Sequence, residues 1–534
     1  MKKQRFGVMM DCSRNGVMTV PQLKRFMDLL VKMGYNCLEL YTEDTYEVDG
    51  EPYFGYMRGR YTGEEIRELD AYALSLGIEL IPAIQTLGHY NALKKNYVYS
   101  HLFDIEEILL CEEETTYEFL DKCFASLAKN FTTRHVNIGM DEAHLLGLGK
   151  YLKKHGYKEH SEILPKHLAR VNEIAQKYGF KPHMWSDMFF RQLNGGGYTG
   201  KNLHLPQELI DRIPKNVGLV YWDYYSQDKQ LYDDMLIAHK ETGNDVWYAG
   251  GIWGWNGFAP YNNFTFKPMR LAMQSVKEQG IENVIITVWG DHGKECSYFS
   301  LLPALYAVRR MAQGVEDMAV IGEEFEKIIG VPFNDFMLLD LPNDTGNPDF
   351  NGTGWPENPC RCLFYQDCFQ GFYDADYAAR KPIPYNAYAR KLKKAEKTAG
   401  EYAYIFKYLA DLCSFLAVKA DLGIKTRAAY RSGDKAALTA IVKDYNLALT
   451  RLKTFYHSFY NVWHTENKPF GWEVQDIRLG GLERRIKTCK SVLERYLKGE
   501  LSRIDELDAD VLPTGKVDIL ENRFDFIVTR NVLN

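Results

Sequence analysis

Along the first three-fifths of the chain, short apolar runs alternate with amphipathic stretches, and the order keeps repeating. Phe6 to Asp11 is an apolar run that reads as a buried strand. From Pro21 to Gly34, the residues Leu23, Phe26, Met27, Leu30 and Val31 recur at helical spacing, and Gly34 closes the helix. Cys37 to Thr42 is a second strand. Thr62 then opens a helix as N-cap, with Glu65 three residues on. Strands follow at Glu79 to Ile84, 135–140, Lys181 to Asp187, Gly218 to Tyr224, Val246 to Gly251 and Asn283 to Trp289. Helices are predicted over 116–130, 164–178 and Leu301 to Gln313.

Eight strand-then-helix units over roughly 300 residues predict an α/β chain folded as a closed (β/α)8 TIM barrel. A doubly wound sheet fits less well, because no Gly-rich turn follows the first strand. Gly147-Leu148-Gly149-Lys150 lacks the spacing of a phosphate loop and reads as a turn. Beyond residue 316 the strand pattern stops. Residues 330–383 are rich in Pro, Asn and Gly and read as loop, whereas 385–422, 434–462 and 480–499 are helical. The predicted domains are therefore a catalytic barrel, 1–315, and a mainly α-helical C-terminal domain, 316–534. Asn467 to Trp472 reads as a turn packed by its aromatic residues; its other reading is a wall for a leaving group.

Composition narrows the partners. The chain has 534 residues with a net charge of -6 and no long basic run, which argues against nucleic acid. The basic start, Met1 to Arg5, is followed by too short an apolar stretch for a signal peptide, and no run approaches membrane-spanning length. The ten cysteines are scattered and form no zinc pattern, so a cytoplasmic protein with reduced thiols is expected. No metal and no cofactor is implied. Aromatic residues make up 14%, a share that suits stacking on sugar rings.

Chemistry collects where strands end, the face on which barrel enzymes build their sites. The first strand ends at Asp11, with Arg14 beyond it; the second at Glu43 and Asp44; the third runs into Gln85 and His89. The fourth ends in Gly139-Met140-Asp141-Glu142, with His144 after it. The fifth offers Trp185 and Asp187, the sixth Trp222 and Asp223 between Tyr221 and Tyr224. The seventh gives Trp247, Tyr248, Trp253 and Trp255, the eighth Trp289, Asp291 and His292. Indole walls with a few carboxylates and one guanidinium suit a neutral, hydroxyl-rich ring.

These residues resemble the motifs of glycoside hydrolase family 20, the β-N-acetylhexosaminidases. Asn137-Ile138-Gly139-Met140-Asp141-Glu142 is similar to the family's His-x-Gly-x-Asp-Glu. Ile81 to His89 resembles its strand-three motif, Asp11 to Arg14 its Asp-x-x-Arg, and Trp289-Gly290-Asp291 its Trp-Gly-Glu. Asn137, Asp291 and Glu43-Asp44 depart from the usual His, Glu and Asp-Asp. With no α/β domain before the barrel, the resemblance implies a compact intracellular, bacterial branch, and allows a homodimer.

The resemblance implies an exo-acting, retaining enzyme that removes terminal β-linked N-acetylglucosamine or N-acetylgalactosamine from a small molecule or oligosaccharide. The substrate's own acetamido oxygen would attack, through an oxazolinium ion, in place of a second carboxylate about 5 Å away. Glu142 is then the general acid, in an apolar setting that keeps it protonated. Asp141 holds the acetamido group; it and Glu142 would diverge because neighbours on extended backbone point to opposite sides. His89 would link to Glu142, backed by Asp44 or Glu43. Trp185, Trp222 and Trp289 would wall the acetamido pocket, with Trp253 also on the sugar. Tyr248, or less readily Tyr224, would donate to the acetamido oxygen, and Arg14, Glu43 and Asp291 would take outer hydroxyls. Two rivals remain: a metal-dependent barrel hydrolase or lyase, and a non-catalytic sugar-binding barrel.

Overall fold

The apolar runs pair side by side as eight parallel strands: β1 (Arg5–Asp11), β2 (Cys37–Tyr41), β3 (Glu79–Ala83), β4 (His135–Asn137), β5 (Lys181–Trp185), β6 (Gly218–Trp222), β7 (Val246–Gly251) and β8 (Asn283–Val288). They close into a barrel in sequence order, β1 lying between β2 and β8. Gly7 pairs with Cys37 on one side, Phe6 with Val284 on the other. The computed structural model describes residues 4–346, 357–515 and 523–533.

The predicted helices form for the predicted reasons. Gly34 ends the helix Val20–Met33 in a left-handed conformation, φ 89°. Thr62 and Glu65 complete a reciprocal capping box on the helix Gly63–Ser75. The fifth unit departs from the repeat. Between β5 and β6 stand only two short helices, Asp187–Arg191 and Gln207–Ile210. Strand β4 also stops at Asn137, three residues before its predicted end, because the backbone turns left-handed at Gly139 and Met140.

Inside the barrel, Met9, Cys37, Ile81, Ala83, Val220, Trp247, Ala249 and Ile285 pack with Tyr41 and Trp185, and Trp222 and Trp289 lie against them. Deeper in the barrel, His183 Nε2 meets Glu39 at 2.8 Å and its ring stacks on Trp247 with centroids 3.9 Å apart.

The chain forms two compact units. The first, Met1–Ile252 with Thr265–Trp289 and Leu305–Asp317, holds the barrel. The second is Met318–Asn534 together with two earlier segments, Trp253–Phe264 and Gly290–Ala304. It is helical, with Tyr385–Glu396, Ala403–Lys419, Leu422–Arg431, Lys435–Glu466 and Trp472–Leu497 as its main helices. The predicted start at 480 was late because Gly480 and Gly481 lie inside this last helix, not at its edge. The stretch 330–383 holds short helices, Phe333–Met337, Pro359–Tyr365 and Asp374–Ala378, too brief to leave a periodic pattern; its part 347–356 lies outside the described residues. Trp472 is buried against Phe459 and Tyr460, as a packed turn requires. Among the described residues no helix is long and apolar enough to cross a membrane.

Candidate active site

Beyond the ends of β2, β3 and β4 the backbone leaves the extended conformation abruptly. Glu43, His89, Met140 and Glu142 all have positive φ, 48°, 59°, 72° and 51°. Left-handed backbone costs a side-chain-bearing residue on the order of 1–3 kcal/mol, so the surroundings must hold each one in place. Asp141 sits between two left-handed residues, Met140 and Glu142, and the divergence expected of the two acids does not occur: a carboxylate oxygen of each lies within 4.8 Å of the other. The strand alternation expected from sequence has already ended at Asn137.

Asp141 points inward and is buried. Its Oδ1 accepts from Gln85 Nε2 at 2.8 Å, and Oδ2 lies 3.2 Å from His89 Nε2. Desolvation pushes this carboxyl up, but the His89 charge and the hydrogen bonds from His89 and Gln85 outweigh it and hold Asp141 below the usual carboxylate range. His89 answers in the opposite sense. Burial lowers it, while Asp141, and then Glu43, raise it to about 9. The two are an ion pair at neutral pH. Gln85 also donates to the Tyr41 hydroxyl at 2.9 Å and accepts from Met140 N–H at 3.2 Å, so one amide ties three strand ends together.

Glu142 lies outside this pair. Its carboxylate is 42% exposed, 3.5 Å from Arg191 Nη2 and 4.0 Å from His89. The apolar surroundings expected for it are absent, and His89 sits closer to Asp141 than to Glu142. Nor does either expected acid back His89. Asp44 accepts from Arg58 Nε at 2.9 Å, and Glu43 is taken by Arg14 and, at 3.1 Å, by the Tyr41 hydroxyl. Glu43 reaches His89 through its charge alone. Burial raises Asp44 above its ordinary range, with Arg58 opposing.

The walls are aromatic. Trp289 meets Tyr41 edge-on at 4.8 Å and Trp185 at 6.2 Å. Trp222 stacks on Tyr224 at 5.5 Å. Tyr248 is not available as a donor: it is fully buried, and its hydroxyl donates to the Asp223 carbonyl at 3.0 Å. Tyr224 lies beside Trp289 and Thr287 and feels the Asp141 charge. Trp253 and Asp291 belong to the second unit, where Trp253 packs on Trp255 at 4.6 Å.

Sequence reading missed Arg191, Arg58 and the roles of Tyr41 and Gln85. Asp187 and Arg191, four apart on a short helix, were the available signal for one of these; their Oδ2–Nε distance is 2.8 Å. Asp187 is wholly buried and raised to about 6 by desolvation and Asp141, against the pull of Arg191. His89, Asp141 and Glu142 each offer one ligand atom within 4.8 Å of the others, so the same trio has the donor set of a cation site.

A closed parallel barrel, an Asp-Glu pair just past β4 and indoles around it define a (β/α)8 glycoside hydrolase. The chain belongs to glycoside hydrolase family 20: the model of that family's catalytic domain matches residues 5–231, and that of the glycoside hydrolase 20C C-terminal domain matches 334–523. Hexosaminidase D of Bos taurus is 23% identical over 316 residues, 56% of this chain and 85% of that protein. β-Hexosaminidase 3 of Arabidopsis thaliana is 26% identical over 307 residues, and the chain spans about half of it, 52%. The solved chitobiase of Flavobacterium johnsoniae aligns over 95% of this chain and 74% of its own, at 17% identity and a TM-score of 0.47.

Proposed function

We propose that the protein is an exo-acting, retaining β-N-acetylhexosaminidase that cleaves terminal β-linked N-acetylglucosamine or N-acetylgalactosamine by substrate assistance. The observation that carries this reading is Asp141: a buried carboxylate kept ionised by His89 and Gln85. Such a group suits an amide N–H and a developing positive charge better than it suits direct attack on the anomeric carbon. The acetamido oxygen forms the new bond to that carbon as the bond to the leaving oxygen breaks, and Glu142 supplies the proton to the leaving oxygen. Water, deprotonated by Glu142, then opens the oxazolinium ion from the leaving group's side, which retains configuration.

Trp185, Trp222 and Trp289 wall the acetamido methyl. Tyr224 replaces Tyr248 as the group beside the acetamido oxygen. Arg14, held by Glu43, takes an outer hydroxyl. For Asp291 the assignment rests on the Trp289-Gly290-Asp291 motif alone, and for Trp253 on its place after the seventh strand. The exposed face of Glu142 is where the sugar would sit, and the apolar setting an acid needs would come from the bound substrate excluding water. The ten free, buried cysteines support a cytoplasmic location; light scattering tests the homodimer that the family resemblance allows.

The decisive assay compares nitrophenyl β-N-acetylglucosaminide with the plain β-glucoside, with and without chelator. Turnover of the acetamido sugar alone, unaffected by chelator, is expected. Equal turnover of both sugars would point to an ordinary two-carboxylate glycosidase. Loss of activity with chelator would favour a cation held by His89, Asp141 and Glu142.

A further inference from the structure

Glu142 is the least enclosed of His89, Asp141 and Glu142, yet it must meet the leaving oxygen in one step and the attacking water in the next. Two contacts fix it. Its backbone N–H donates to Asp187 Oδ2 at 3.1 Å, which stabilises the left-handed φ of 51°. The same Oδ2 accepts from Arg191 Nε at 2.8 Å, and the far end of that guanidinium, Nη2, reaches Glu142 Oε1 at 3.5 Å. One wholly buried carboxylate thus grips the main chain of Glu142 directly and its side chain through Arg191.

Arg191 is itself immobilised. Nη1 donates to the Gly196 carbonyl at 3.1 Å, and the guanidinium lies over the rings of Tyr198 and Trp222 at 5.8 and 5.9 Å. A planar cation fixed on three sides presents its remaining edge to Glu142 in one orientation.

We propose that Arg191 is a positioning residue for the general acid, anchored by Asp187, and that it stabilises the Glu142 carboxylate formed when the proton passes to the leaving oxygen. This rests on Glu142 being the acid. The proton moves from Glu142 to the departing oxygen as its bond to the anomeric carbon breaks; the negative charge left on Glu142 develops beside the fixed Arg191. The contribution therefore grows with the basicity of the leaving group and vanishes where no proton is needed.

The test measures kcat/KM for a series of β-N-acetylglucosaminides, from dinitrophenyl to methyl and sugar leaving groups, in wild type, Arg191→Met, Arg191→Lys and Glu142→Gln. Arg191→Met is expected to lose about ten- to hundredfold on the poor leaving groups and less than about threefold on dinitrophenyl, a fraction of the general-acid effect. Arg191→Lys is expected to fall between wild type and Arg191→Met in its dependence on the leaving group. An equal loss across the series, or none, overturns the proposal. Should Arg191→Met fail to fold, Arg191→Lys decides: a series parallel to wild type overturns it. If Glu142→Gln itself shows no dependence on the leaving group, the acid assignment has failed and not merely the role of Arg191.

Discussion

At the scale of single residues the site is an ion pair, His89 with Asp141, beside a half-exposed carboxylate, Glu142. His89 is raised to about 9, so it carries its charge throughout the neutral range. The sign for stability follows. A histidine whose folded value exceeds its ordinary 6.5 contributes fully below about pH 6.5, and that contribution drains away as pH rises through about 9. The gap in Tm between wild type and His89→Gln should therefore be wide at pH 6 and narrow at pH 10, and a gap independent of pH would deny the ion pair. Asp141→Asn keeps an acceptor for Gln85 but turns an uncharged group toward His89. The His89 imidazole should then titrate well below 9 by NMR, and kcat should fall by about a thousandfold, the scale of losing one preorganised electrostatic group. Near-normal turnover in the Asp141→Asn variant would remove Asp141 from the mechanism.

At the scale of elements, what matters is how the strands end. β3 and β4 share one register pair, Ala83 with Asn137, before the chain turns left-handed at Gly139. A Cβ at Gly139 would lie 2.1 Å from Gln85 Oε1, and φ there is 69°. Gly139→Ala should cost at least about 2 kcal/mol in a denaturant titration. It should also cut turnover, because the displaced Gln85 releases Asp141. Unchanged turnover would mean that Gln85 does not position that carboxylate. This turn also marks where sequence stops being informative. The strands were legible as continuous apolar runs, and the acids were legible because they follow those runs. Left-handed turns at Glu43, His89 and Glu142 have no pattern of their own, since none is glycine. The partners they create, Arg191 to Glu142 and Arg58 to Asp44, could not be foreseen. Tyr248 illustrates the same limit: alternation with Trp247 and Ala249 turns it out of the barrel interior, against Tyr232, and only the fold reveals the Asp223 carbonyl that occupies its hydroxyl.

At the scale of the whole chain, sequence order and structural membership part company. Trp253–Phe264 and Gly290–Ala304 precede the helical tail but belong to its unit. Their side chains are bound there by contacts that the tail completes. Glu295 is buried and ionised: burial raises it, but Arg361 and Arg478 hold it below its usual range, at 2.7 and 3.1 Å. Lys294 meets Glu466 at 3.4 Å, both nearly inaccessible. Asp340 accepts from the Asn262 and Asn263 N–H groups at 3.1 and 2.8 Å, and Phe258 packs on Phe364 at 4.8 Å. Removing one partner of a buried ion pair costs about 3–5 kcal/mol, because it leaves an uncompensated charge. Ending the chain after Asp317 would strand Glu295 and Lys294 at once and uncover Phe258. The fragment 1–317 should therefore lack a cooperative thermal transition, although it contains all eight strands. Circular dichroism on heating checks this, and a sharp transition with retained turnover would mean that the barrel unit stands without those contacts. Arg361→Met in the full chain isolates one part of the effect. It should lower stability by several kcal/mol while Arg478 keeps Glu295 partly compensated, so the loss should fall short of that in the double variant Arg361→Met with Arg478→Met.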